Sequence, residues 1–216
     1  MADVGRFPAQ NSQLQNMGAS IPGVAEVISW ELYHYQDYAT AGQTQLTFFQ
    51  TTAGALATGL EGTNMEVAGM LPSPQAFLLQ TIEVHFFPAT APSVATGAAA
   101  VIKTVNDTYN VLKSGFAELE IVGKKYARVA NLLRLPPKVR LEGSFALADT
   151  TTAGAAQQTR VGLINPVGGL YRIDPNLLIH QNENFKVTLN WTTAVALLDA
   201  GAAKIGVVLG GVLFRA

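Results

Sequence analysis

Polar and apolar residues alternate along much of this chain. Residues 184–191 read NFKVTLNW, which places Phe185, Val187, Leu189 and Trp191 on one side of an extended chain. That period of two is the mark of a strand with one face in a core. FAELEIV (116–122) and KVRLEGSFAL (138–147) repeat it, the first with Glu118 and Glu120 outward. The closing run IGVVLGGVLFR (205–215) is almost unbroken apolar, as expected of a strand covered on both faces. Further strands are expected at 27–38, 44–50, 77–87, 126–133, 161–164 and 170–173. In the strand at 77–87, strict alternation puts Leu79, Thr81, Glu83, His85 and Phe87 on one face. Only 98–113 has helical spacing, with Val101, Val105, Tyr109 and Leu112 as the inward stripe and Asp107 off it.

Roughly nine to eleven short strands and one helix, punctuated by small-residue loops, predict an all-β fold. The architecture expected is a jelly-roll β-sandwich with one helix inserted near 98–113. A single jelly roll is favoured over a double one, because about sixteen strands of 5–6 residues would crowd a chain of 216. Residues 1–24, rich in Gln, Asn, Ser and Gly, are expected to form an extended N-terminal arm ordered by neighbouring subunits. The jelly-roll domain is expected over 25–216, with no internal repeat or linker dividing it.

Composition sharpens this picture. Charged residues make up 13% of the chain and hydrophobic ones 49%, against about 25% charged in an ordinary soluble domain. A surface so poor in charge is expected to be covered by a partner. The net charge of −1 supplies no global field for nucleic acid or an anionic membrane. With no cysteine, disulfides and thiolate metal sites are excluded. The N-terminal stretch lacks the apolar core of a signal peptide, and no run of about 18 uninterrupted apolar residues suggests a membrane span.

Candidate chemistry is sparse. His34, His85 and His180 are each placed inside a predicted strand, without metal-ligand spacing or the H-x-H pair of a cupin. Glu118 and Glu120 could formally serve as paired acids, yet they belong to an alternating solvent face. Neither a nucleophile elbow nor a P-loop is present. Gly206, Gly210 and Gly211, inside a strand, point to a bulge or a close backbone approach. No enzyme activity, cofactor, metal or small-molecule substrate is therefore expected. One cluster stands out: Lys124, Lys125, Arg128, Arg134, Lys138 and Arg140 fall within seventeen positions that hold no acid. They are either solvated edge-strand charges or a patch facing an anion, such as packaged nucleic acid or lipid head groups.

Three segments carry a family resemblance: MLPSPQAFLLQTIEVHFFP, SGFAELEIVGKKYARVANLLRLPP, and the ending FKVTLNW…IGVVLGGVLFRA. Over about residues 65–216 they resemble the major capsid proteins of tailless icosahedral bacteriophages, of the vertical jelly-roll type. The resemblance implies a structural protein of the virion, assembled in the host cytoplasm. Its partners would be copies of itself, as trimers or hexamers within the shell, together with other capsid proteins and non-specific contact with nucleic acid or an internal membrane. Association is expected through the Ala/Thr/Gly-rich loops 51–64, 89–98, 149–158 and 192–203, whose small side chains lose little rotamer entropy on burial. The alternative is a β-sandwich binding module, lectin-like or receptor-binding, which calls for aromatic, Asp and Asn residues in those loops.

Overall fold

The computed structural model describes residues 23, 26–89, 97–138, 144–149, 157–162 and 169–215. Among these lie ten strands and one α-helix: β1 (Glu26–Tyr38), β2 (Gln45–Phe48), β3 (Ala76–Phe87), α1 (Gly97–Ser114), β4 (Gly115–Ile121), β5 (Lys124–Ala130), β6 (Ser144–Asp149), β7 (Gln157–Gly162), β8 (Tyr171–Ile179), β9 (Phe185–Trp191) and β10 (Ala203–Arg215). They form two four-stranded antiparallel sheets, ordered β1-β10-β3-β8 and β2-β9-β4-β5, beside a β6-β7 hairpin. The core lies between the two sheets. Leu32, Ile82, Val84, Ile205, Val207 and Leu209 of the first meet Phe48, Leu119, Phe185, Val187, Leu189 and Trp191 of the second. The chain is thus a β-sandwich, as its alternation predicts. Strand pairing is nested: β1 with β10, β2 with β9, β3 with β8, and β4 with β5. Of the N-terminal arm expected over 1–24, only Gly23 is among the described residues.

The strict faces expected of β3 do not hold. In its pairing with β10, Gly210 lies opposite Thr81 and Gly211 opposite Leu79, so Gln80 is an extra residue. Such a bulge turns the strand over. Phe77 and Leu79 therefore share the core face with Ile82, Val84 and Phe86, while Ala76 and Leu78 join an outer apolar cluster with Val212 and Phe214. Gly211 makes this register possible, because a Cβ there would meet the Leu78 carbonyl oxygen at 2.1 Å.

The helix forms where expected, but it presents another face. Tyr109 is exposed, whereas Thr104, Asp107, Val111 and Leu112 are buried. Asp107 is buried because its carboxylate accepts the backbone N–H groups of Leu198 (2.7 Å) and Asp199 (3.0 Å), clasping the β9–β10 connection. The last helical turn is tied to the second sheet by Trp191, whose Nε1–H donates to the Val111 carbonyl at 2.9 Å. Two smaller corrections concern strand ends. The β4–β5 turn consists of Val122 and Gly123, so Lys124 and Lys125 already belong to β5. His180 lies just past β8, where its N–H donates to Glu183 Oε2 at 2.9 Å.

His34 does lie within a strand, facing inward. Its ring meets Phe48 and Phe49 edge-on, and its Nδ1 accepts the Phe49 N–H at 2.8 Å. Phe49 has φ of 69°, a costly conformation for a bulky residue, and its ring is completely buried. The histidine thus helps to hold the strained exit from β2. Burial lowers its pKa from 6.5 to about 4.

Two outcomes are expected. Asp107→Ala leaves two backbone donors without their carboxylate and should cost about 2–4 kcal/mol in urea unfolding. For His34, the unfolded chain takes up a proton near pH 6.5 that the folded chain refuses until about pH 4. Its stability contribution is therefore complete above pH 6.5 and falls as the pH drops towards 4, by about 2–3 kcal/mol. Unfolding curves at pH 7.5 and 4.5 should show this difference in the wild type and a smaller one in His34→Asn.

Candidate functional site

The outer face of the first sheet carries a groove of about 550 Å³, and strand register explains it. Across three adjacent strands, Tyr35 pairs with Gly206 and Gly206 with His85; one step along, Tyr33 pairs with Val208 and Val208 with Glu83. Since Gly206 has no side chain, the Tyr35 ring can lie over the backbone of β10. A Cβ at that position would stand 2.1 Å from the ring. Tyr35 thereby reaches His85, with its hydroxyl 3.0 Å from Nδ1 and the ring centroids 5.8 Å apart. The other ring nitrogen, Nε2, lies 3.3 Å from Glu83 Oε2. An ionised carboxylate only accepts, so Nε2–H donates to Glu83 and, in the neutral ring, Nδ1 accepts from the tyrosine.

Glu83 is buried and also accepts the backbone N–H of Lys138. The segment that brings Lys138 here runs beside β3, where the Val84 N–H donates to the Leu135 carbonyl at 2.9 Å. Lys138 Nζ then pairs with Glu31 at 3.1 Å. The opposite rim is set by residues 59–64, which follow the free edge of β1: the Tyr35 N–H donates to the Gly62 carbonyl, and Asn64 Nδ2 donates to the Glu31 carbonyl at 2.8 Å. This places exposed Glu61 on the groove and covers a strand edge that could otherwise pair with another chain. Part of the 51–64 loop is therefore engaged within its own subunit.

Burial, then the charges of Glu83 and Glu31, raise the Tyr35 pKa above its ordinary 10. The phenol stays protonated at neutral pH and acts as a donor, with little nucleophilic character. The groove thus presents aromatic walls, carboxylates and a hydrogen-bonded tyrosine–histidine–glutamate row. No group of three or more potential metal ligands occurs among the described residues.

The six basic residues are divided. Lys124, Lys125 and Arg128 lie on β5 at the edge of the second sheet. Lys125 and Arg128 both pair with Glu118, at 3.1 and 3.3 Å, and the Arg128 guanidinium stacks over Phe116. Glu120 pairs with Lys186 at 3.2 Å, so the two glutamates of β4 belong to a mixed-charge face. Arg134 ends a 3-10 turn after β5, and Lys138 has crossed to the groove on the other sheet. Arg140 lies outside the described residues. Sequence reasoning missed the groove, because its walls come from five separated stretches. The available signal was the outward series Glu31, Tyr33, Tyr35 in β1.

No family model matches this chain, and no curated protein is significantly similar to it. Its site must be interpreted from its own geometry.

Gly206→Ala should lose about 1–3 kcal/mol of stability through the clash with Tyr35. In a Tyr35→Ala background the same change should cost much less. Chemical denaturation of the four proteins of this double-mutant cycle measures the coupling.

Proposed function

We propose that this chain is a single jelly-roll β-sandwich whose copies assemble into the shell of an icosahedral virus, with the tailless bacteriophages as the kind of virus its sequence resembles. The observation that carries this reading is the nested strand order in a chain so poor in surface charge. Four antiparallel pairs nested within one another make a long ribbon. Wrapping that ribbon brings β10 beside β3 and β9 beside β4, giving the two observed sheets. Jelly rolls of this kind serve in capsids, lectins and cupins. A cupin reading lacks its metal-binding histidines in the sequence, and 13% charged residues favours a surface covered by other copies.

On this reading the subunits associate as trimers or hexamers of the virion. Exposed Leu198 in the β9–β10 connection and the small residues around it supply contact area at low entropic cost. Repetition by symmetry then makes a stable shell from modest interfaces. The tyrosine-lined groove favours a second reading, a glycan-binding β-sandwich. It predicts a monomer that retains specific sugars on a glycan array.

Light scattering after size exclusion, with negative-stain imaging of the purified chain, tests the assembly reading. Trimers, hexamers or closed particles that grow with concentration are expected. A monomer at every concentration and salt condition would refute it.

A further inference from the structure

The tip of the β4–β5 hairpin is a strained turn with an exposed apolar apex, anchored within its own chain by the Val122 N–H, which donates to the Asn184 carbonyl at 2.7 Å. Ile121 pairs with Lys124, leaving Val122 and Gly123 as a two-residue loop with φ of 49° and 74°. Positive φ at both positions is the I′ hairpin geometry, for which Asn-Gly is the favoured pair. Valine is β-branched and poorly suited to it. Nor does burial compensate, since Val122 is 58% exposed. Nearby Tyr126 is 50% exposed, and Lys124 and Lys125 also face solvent. The result is a knob with an apolar apex, an aromatic flank, the Lys124 ammonium, and a Lys125 ammonium that also pairs with Glu118.

On the opposite sheet, the groove has the complementary chemistry. Tyr33, Tyr35 and Val208 provide an apolar floor, and the acids Glu31, Glu61 and Glu83 outnumber Lys138. Ammonium groups near tyrosine faces and carboxylates gain both cation–π and Coulomb attraction. We propose that the β4–β5 tip of one copy docks into the outer-face groove of the next. The inference rests on the assembly reading and specifies its contact. Tip and groove are different surfaces of one chain, so the contact is head-to-tail. Each copy uses both surfaces, and repetition closes a ring or extends a lattice. It also gives the strained valine a role, as the apex that fills the groove.

The test uses four full-length variants, each first checked for a wild-type thermal transition. Tip reversal (Lys124→Glu with Lys125→Glu) and groove reversal (Glu31→Lys with Glu61→Lys) should each reduce assembled material at least about tenfold, because like charges then meet. Combining both reversals in one chain should restore assembly to within about threefold of wild type. Val122→Asn relieves the turn, so it should preserve or raise the melting temperature while lowering assembly. Folded reversal variants that assemble like wild type would overturn the docking and leave the assembly reading intact. A folded combined variant that stays dispersed would do the same. If tip reversal removes only co-purifying nucleic acid, the tip faces that anion and the docking is wrong. A wild type that never assembles would remove the assembly reading itself, and the docking with it.

Discussion

Strand β10 must be covered on both faces while lying between two partners, and the first sheet is organised around that demand. Its inward residues, Ile205, Val207, Leu209 and Leu213, enter the core between the sheets. On the other face, Val212 and Phe214 are buried in a second apolar cluster with Ala76 and Leu78. Earlier along the same outer face, Gly206 and Gly210 carry no side chain, and there Tyr35 and Thr81 approach the backbone. One strand therefore closes the sandwich and hollows its surface. Because β10 pairs with β1 at the far end of the described chain, the sheet forms only when remote segments meet. The entropic cost of such closure grows slowly with chain length, and the apolar area buried on both faces of β10 offsets it.

Buried polar groups then decide where connections go. Asp107 clasps the β9–β10 connection, His34 holds the exit from β2, and Trp191 fastens the helix to the second sheet. Each satisfies backbone groups that would otherwise be buried without partners. The same economy operates at the β1 edge, where residues 62–64 take up the hydrogen bonds of Tyr33 and Tyr35. Copies of this chain consequently have little reason to join by adding strands at β1. The contact proposed between groove and hairpin tip uses side-chain surfaces instead.

The two outer faces differ in character. On the second sheet, Glu118 and Glu120 are matched by Lys125, Arg128 and Lys186, which gives a nearly balanced face with a protruding basic tip. The first sheet presents a concave surface where acids exceed bases. That asymmetry suits a head-to-tail contact between unlike surfaces.

Much of the architecture was legible in the sequence. Alternation in FAELEIV and NFKVTLNW located β4 and β9, because one face of each meets the core and the other meets water. The unbroken apolar run announced β10 as a strand covered twice, and its glycines pointed to a bulge or a close backbone approach, without saying which or against what. The bulge at Gln80 was not legible, since an extra residue in β3 is defined only by what lies opposite it. The helix face was misjudged for a related reason: Asp107 turns inward to meet backbone donors about ninety residues away, and no local hydropathy rule weighs that bond. The basic cluster was a real run in the sequence, yet the chain turns through a 3-10 helix after β5 and carries Lys138 to the opposite sheet. Sequence by itself determined that the chain is built mainly of strands and which residues of β4 and β9 face the core, because hydrophobic burial acts with a local period. Only the tertiary structure decided which strands are neighbours, and so which side chains share a groove, because cross-strand register is fixed by pairing between distant segments.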